Sequence, residues 1–116
     1  MSRLAELGYI DDLAFAKGHV RRRSAGLGPL ALSAELAARG VDRHVSAEAV
    51  AGLDSEAQLA AAQRLAERMC GGKRWPGYRQ LLDSVGPKLL RRGFSPGVVR
   101  AACRAAWIGT SEDPEN

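Results

Sequence analysis

The sequence predicts an all-α protein of tandem three-helix repeats, and three observations carry that prediction. One short stretch occurs twice: Leu36, Arg39, Gly40, Val41, Asp42, Val45 and Ala49 return 53 positions later as Leu89, Arg92, Gly93, Phe94, Ser95, Val98 and Ala102. Each copy reads as the end of one helix and the start of the next. A basic residue closes the last turn, Gly takes the left-handed conformation beyond it, an apolar residue folds back, and a side-chain oxygen caps the new helix. The second observation is composition: apolar residues make up 46% of the chain but aromatics only 5%, which suits closely packed helices and argues against a β-sandwich. The third is period, since Gly8 and Gly52 lie 44 residues apart, a spacing common in multi-helix repeats.

The elements follow in order. Met1 to Leu7 read as the tail of a helix whose beginning is absent, ended by Gly8, with Tyr9 and Ile10 packing back and Asp11 capping the next helix. That helix should run from Asp12 to about Ser24, with Leu13, Ala16 and Val20 on its apolar stripe, Phe15 and His19 beside it, and Arg21, Arg22 and Arg23 in its last turn. Pro29 suits the first position of a second helix, which reaches Arg39 with Leu32 and Leu36 inward. A third spans about Arg43 to Ala51 with Val45, Ala49 and Val50 inward, and Gly52 closes it.

Asp54 or Ser55 then caps a fourth, with Leu59, Ala62, Leu65, Ala66 and Met69 on one face and Gly71-Gly72 as its stop. Lys73 to Pro76 form a basic connector in which Trp75 is expected to cover the core. The fifth helical stretch starts at Pro76, and a break or sharp kink is expected at Gly86-Pro87, because an interior proline costs about 3 kcal/mol. The sixth helix runs from Pro96 to Trp107. The expected division is a remnant of a preceding repeat over 1–8, three-helix repeats over 9–52 and 53–108, and a disordered acidic tail over 109–116.

Seventeen Lys and Arg against thirteen Asp and Glu leave a net charge of +4. Glu112, Asp113 and Glu115 lie past the helices, so the folded part is more basic than the total. Such a domain favours a nucleic acid, a membrane surface or an acidic protein as partner. No apolar run approaches a membrane span and no signal peptide opens the chain, which leads to a cytoplasmic protein with no membrane partner. Cys70 and Cys103 have no CxxC spacing and read as reduced, buried thiols; neither a metal nor a cofactor is expected. No catalytic constellation emerges. The two histidines fall on different helices, with His19 at the edge of the core and His44 solvated, and Asp11 and Asp12 are explained by a helix start.

The informative feature is the basic clusters: Lys17 with Arg21, Arg22 and Arg23; Arg39 with Arg43; Lys73, Arg74 and Arg79; and Lys88, Arg91, Arg92, Arg100 and Arg104. One cation per helix end would answer the helix dipole, worth about 0.3 to 1 kcal/mol. Three in a row at Arg21 to Arg23, and the Arg91-Arg92 pair with Lys88 one turn earlier, exceed that and point to a surface that tracks phosphates or meets acidic side chains. The joints at Gly40 and Gly93 also have the form of a helix-turn-helix. The Pro96-Gly97-Val98-Val99 start of the sixth helix, however, offers nothing to read base edges, so sequence-specific recognition is not expected.

The stretch Gly8-Tyr9-Ile10-Asp11-Asp12 with Phe15-Ala16, then Arg21 and Arg23, Gly28-Pro29, Glu35-Leu36 and Arg39-Gly40-Val41, and finally Leu89, Arg91-Arg92-Gly93-Phe94 and Val98, resembles the bacterial RecX regulatory family over residues 3 to about 107. The resemblance implies tandem three-helix repeats without catalysis, and a partner: the RecA recombinase, whose filament on single-stranded DNA members of the family enter by its groove, restraining ATPase and strand exchange. Members carry three repeats, whereas this chain reads as two plus the last turns of another. In the family an aromatic residue is common where His19 stands, and the helix is usually continuous where Gly86-Pro87 falls.

The expected function is therefore a non-enzymatic, monomeric negative regulator of RecA filaments, meeting single-stranded DNA directly or through the filament. Lys17, Arg21, Arg22, Arg23, Arg39, Arg43, Lys73, Arg74, Lys88, Arg91 and Arg92 are the expected binding residues. The alternatives are a sequence-independent nucleic-acid-binding helical module without a recombinase partner, and a purely structural adaptor.

Overall fold

A computed structural model describes residues 3–72 and 74–111, and the side chains of 8–72 and 74–108. Among the described residues six helices follow one another: α1 (Arg3–Arg23), α2 (Pro29–Ala38), α3 (Arg43–Ala51), α4 (Ser55–Cys70), α5 (Tyr78–Arg91) and α6 (Pro96–Ser111). No strand occurs among the described residues. Helices α1 to α3 pack on one another around Ala16, Val20, Leu32, Leu36, Val45 and Ala49. Helices α4 to α6 close over a second cluster, in which Leu65, Leu81, Val85, Leu89 and Phe94 are the large members and Trp75, Tyr78 and Trp107 pack from outside. The body measures 67 × 21 × 19 Å with a radius of gyration of 17.5 Å, well above the roughly 13 Å of a compact domain of this length.

Both joints form as their residues dictate. Gly40 and Gly93 have φ of +83° and +92°. The amides of Gly40 and Val41 reach the carbonyls of Ala37 and Leu36, and those of Gly93 and Phe94 reach Leu90 and Leu89, the paired bonds of a Schellman motif in each unit. Asp42 Oδ2 accepts from the His44 amide at 2.9 Å, and Ser95 Oγ from that of Val98 at 3.3 Å. Gly71 and Gly72, both at positive φ, stop α4. Asp54 stands at the N-cap of α4 without a side-chain bond to it.

Several expectations are corrected. Gly8 does not end a helix and Asp11 caps nothing: α1 runs unbroken through both, and Tyr9 and Ile10 lie exposed on it. An interior glycine costs only about 1 kcal/mol, which the burial of Ala16 and Val20 farther along the same helix outweighs. Likewise α5 is continuous from Tyr78 to Arg91 across Gly86-Pro87. Leu81, Val85 and Leu89 are fully buried, at roughly 1.5–3 kcal/mol each, while Pro87 and Asp83 face solvent. The carbonyl that Pro87 deprives of a partner is therefore on the wet side of the helix, where water can satisfy it. Helix α5 also starts at Tyr78 rather than Pro76. Helix α6 runs on to Ser111, and the rest of the expected acidic tail, residues 112–116, lies outside the described residues.

The contact between the units is made largely of main chain. Helix α2 begins at Gly28-Pro29 with no side-chain cap. Its open amides are met instead by the end of α5: Gly28 N–H donates to the Arg92 carbonyl at 2.7 Å and Leu30 N–H to that of Gly93 at 3.1 Å. The negative end of one helix thus satisfies the positive end of another. The approach is close enough that a Cβ on Gly93 would lie 2.3 Å from the Ala31 nitrogen, and one on Gly28 2.5 Å from the Gly93 oxygen.

Candidate functional site

The last turn of α1 carries Arg21, Arg22 and Arg23, all exposed. Gly18, one turn earlier, has no side chain, and the Arg22 and Arg21 guanidinium groups fold back over it, 3.2 and 3.7 Å from where a Cβ would stand. Arg23 takes Glu35 of α2 in a two-point pair, Nη2 to Oε2 at 2.9 Å and Nε to Oε1 at 3.3 Å. Buried His19 donates from Nε2 to the same carboxylate at 2.7 Å. The bonds from Arg23 first and His19 second hold the Glu35 carboxyl down to about 2. Together with Arg22, Ala38 and Arg39, these three residues line an open polar cleft of about 430 Å³ where α1 and α2 end.

The fold brings a second cluster to this place. Arg92 closes α5, and its Nη1 donates to the Gly26 carbonyl at 3.2 Å, in the turn that follows Arg23. The C-terminal ends of α1 and α2 share the cleft, while that of α5 meets the turn between those helices, and their partial negative charges account for part of the arginine there. Arg23 and Arg92 are used within the chain. Arg21, Arg22, Arg39, Lys88 and Arg91 are exposed beside them with no ionic partner among the described residues, and form the surplus. Lys17 is exposed one turn before Arg21, Arg74 is exposed in the α4–α5 connector, and Arg43 edges a different groove. Lys73 lies outside the described residues.

Glu35 and the Gly26 carbonyl were not legible as site groups, although the four-residue spacing of His19 and Arg23 on α1 is a signal that one acid could serve both. Arg104 stands over the Tyr78 ring at 5.2 Å, a cation–π contact that tethers it to the second unit.

Neither thiol is poised to react. Burial, then the neighbouring Cys70, pushes Cys103 up to about 11, and burial raises Cys70 as well, so both stay protonated and pack as small apolar groups. Among the described residues no three His, Cys, Asp or Glu side chains gather as metal ligands, and no helix is long and apolar enough to cross a membrane.

Residues 11–50, the span of most of α1 to α3, match the family described as RecX, second three-helix domain. The regulatory protein RecX of Geobacillus kaustophilus is 33% identical over 115 residues, covering 97% of this chain and 43% of its own length. The chain belongs to the RecX family. The RecX proteins of Thermobifida fusca and Mycobacterium ulcerans are 36% and 37% identical over 100 and 101 residues, each covering 84% of this chain and 54% and 58% of their own. The chain thus spans about half the length of these three curated relatives, each of which is named as a regulatory protein. No solved structure matches it.

Proposed function

We propose that the chain is a non-enzymatic negative regulator of the RecA recombinase, lying in the groove of RecA filaments on single-stranded DNA and inhibiting ATPase and strand exchange as a cytoplasmic monomer. The observation that supports this reading best is the basic seam: surplus cations of both units flank the small joint between them in a narrow body 67 Å long. Such a body suits a long groove better than a closed pocket. Arg21, Arg22, Arg39, Lys88 and Arg91 would meet phosphates or acidic side chains; their fork geometry favours bidentate contacts at the four arginines.

The test is a titration of the chain into RecA on single-stranded DNA with ATP hydrolysis as the readout. Wild type should inhibit, and Arg21→Glu with Arg22→Glu should relieve inhibition at moderate salt. Unchanged inhibition by that double variant at low and moderate salt would discard the seam as the contact surface. A second reading, a sequence-independent nucleic-acid-binding module, is favoured by the absence of base-reading side chains at the start of α6. Tight binding to bare single-stranded DNA with a steep salt slope and no effect on the filament would select it.

A further inference from the structure

Two surface grooves occupy equivalent places in the two units. The first, of about 370 Å³, lies between α2 and α3 and is lined by Ala34, Ala37, Arg43, Ser46 and Ala47 among others. The second, of about 270 Å³, lies between α5 and α6 and is lined by Pro87, Leu90, Pro96, Val99 and Arg100, each 53 positions after its counterpart. The duplication has thus kept a surface feature as well as a core. Neither groove is covered by the other unit: Ala34, Ala37 and Ala47 are exposed in the first, and Leu90 is 45% exposed in the second.

The linings say what would fit. Both are mainly apolar and contain no aromatic ring on which a base could stack, which disfavours nucleic acid. Each has one unpaired arginine at its edge, Arg43 or Arg100, though at positions that do not correspond. Each is also entered beside the first turn of a helix, α3 or α6, where negative charge is favoured. The only carboxylate in either lining is Asp83, which makes no ion pair with Arg100. In the first groove Ser46 is only 5% exposed, and its Oγ has no hydrogen-bond partner. A buried hydroxyl left in that state is destabilising, and the corresponding residue of the other unit is Val99.

We infer that the two grooves are paired docking sites for a protein that repeats along one axis, each accepting an apolar side chain flanked by a carboxylate from successive subunits. The carboxylate would meet Arg43 or Arg100, and Ser46 Oγ would donate to a carbonyl of the subunit in the first groove. This rests on the filament reading above and assigns the protein-facing surface, as distinct from the basic seam. The tandem arrangement along an elongated body carries the repeating character of the partner, and the edge arginines carry its charge.

The experiment measures binding of the full chain to bare single-stranded DNA and to the same DNA coated with recombinase. Ala37→Trp fills the first groove and Leu90→Glu places a like charge to the expected carboxylate in the second; both sites are exposed, and circular dichroism checks folding. Each should weaken filament binding by about tenfold, with the double variant weaker than either, while affinity for bare DNA changes by less than about twofold. Ala37→Leu and Arg43→Glu repeat the test without a bulky ring. Filament affinity like that of wild type in all variants, or an equal loss on bare DNA, overturns the inference. Failure of wild type to bind filaments at all overturns the filament reading and this inference with it. Loss only in Arg21→Glu with Arg22→Glu would keep the former and remove the latter.

Discussion

The two units share a plan but differ in what fills it. The core of α1 to α3 is small and aliphatic, and two polar residues, His19 and Ser46, are buried in that unit. The core of α4 to α6 holds Phe94 and several fully buried leucines and valines, with two tryptophans and a tyrosine packed against it. At the same slot of the joint, Val41 is half-buried where Phe94 is fully enclosed. Neither α2 nor α5 has a side-chain cap, but the start of α2 is met by main-chain carbonyls of the second unit. A duplicated helical unit can therefore divide its labour, one copy supplying most of the packing while the other accommodates buried polar groups and a charged cleft.

The largest expected contrast is at the apolar slot. Phe94→Ala should destabilise the chain by about 3–5 kcal/mol in chemical denaturation, and Val41→Ala by only about 1 kcal/mol; equal costs would break the asymmetry. Next come the joint glycines. Gly93→Ala strains a positive φ and drives a methyl into the main chain of Ala31, so it should cost more than about 2 kcal/mol and lower the radius of gyration or broaden its distribution in solution scattering. Gly40→Ala meets open space and should cost about 1 kcal/mol, from φ alone. A smaller effect of opposite sign is expected for Ser46→Ala, which removes an unpaired buried hydroxyl and should stabilise the free chain by about 1 kcal/mol.

The smallest effect concerns pH. Because the folded chain holds Glu35 near 2, below its ordinary value, the stabilisation from its pairs is fully present above the ordinary carboxyl range and is lost as pH falls toward 2. The melting difference between wild type and Glu35→Gln should accordingly narrow over that window, and a difference that stays constant from pH 7 to pH 2 would argue that the cluster contributes nothing electrostatic.

Much of this architecture was legible because it is local. Positive φ at Gly40 and Gly93, the caps at Asp42 and Ser95, the Gly71-Gly72 stop and the packing of Trp75 on the second core all follow from residues within a few positions. Gly8 and Pro87 were misread for the same reason. Both are strong local breakers, and both sit in helices held by partners distant in sequence. The surplus of cations was visible as spacing, but the home partners of Arg23 and Arg92 were not, since Glu35 and the Gly26 carbonyl reach them only once the helices are packed. The contact of Gly28 with Gly93 left no trace at all, because each glycine already had a sufficient local reason to be there.

The bonds from the start of α2 to the carbonyls of Arg92 and Gly93 use atoms that every residue possesses. Surface side chains can drift freely without touching such a joint, so the spacing of the two units is inherited by any sequence that keeps its glycines. The flanks, with their arginines and grooves, can then vary while the ruler on which those features are mounted stays the same length.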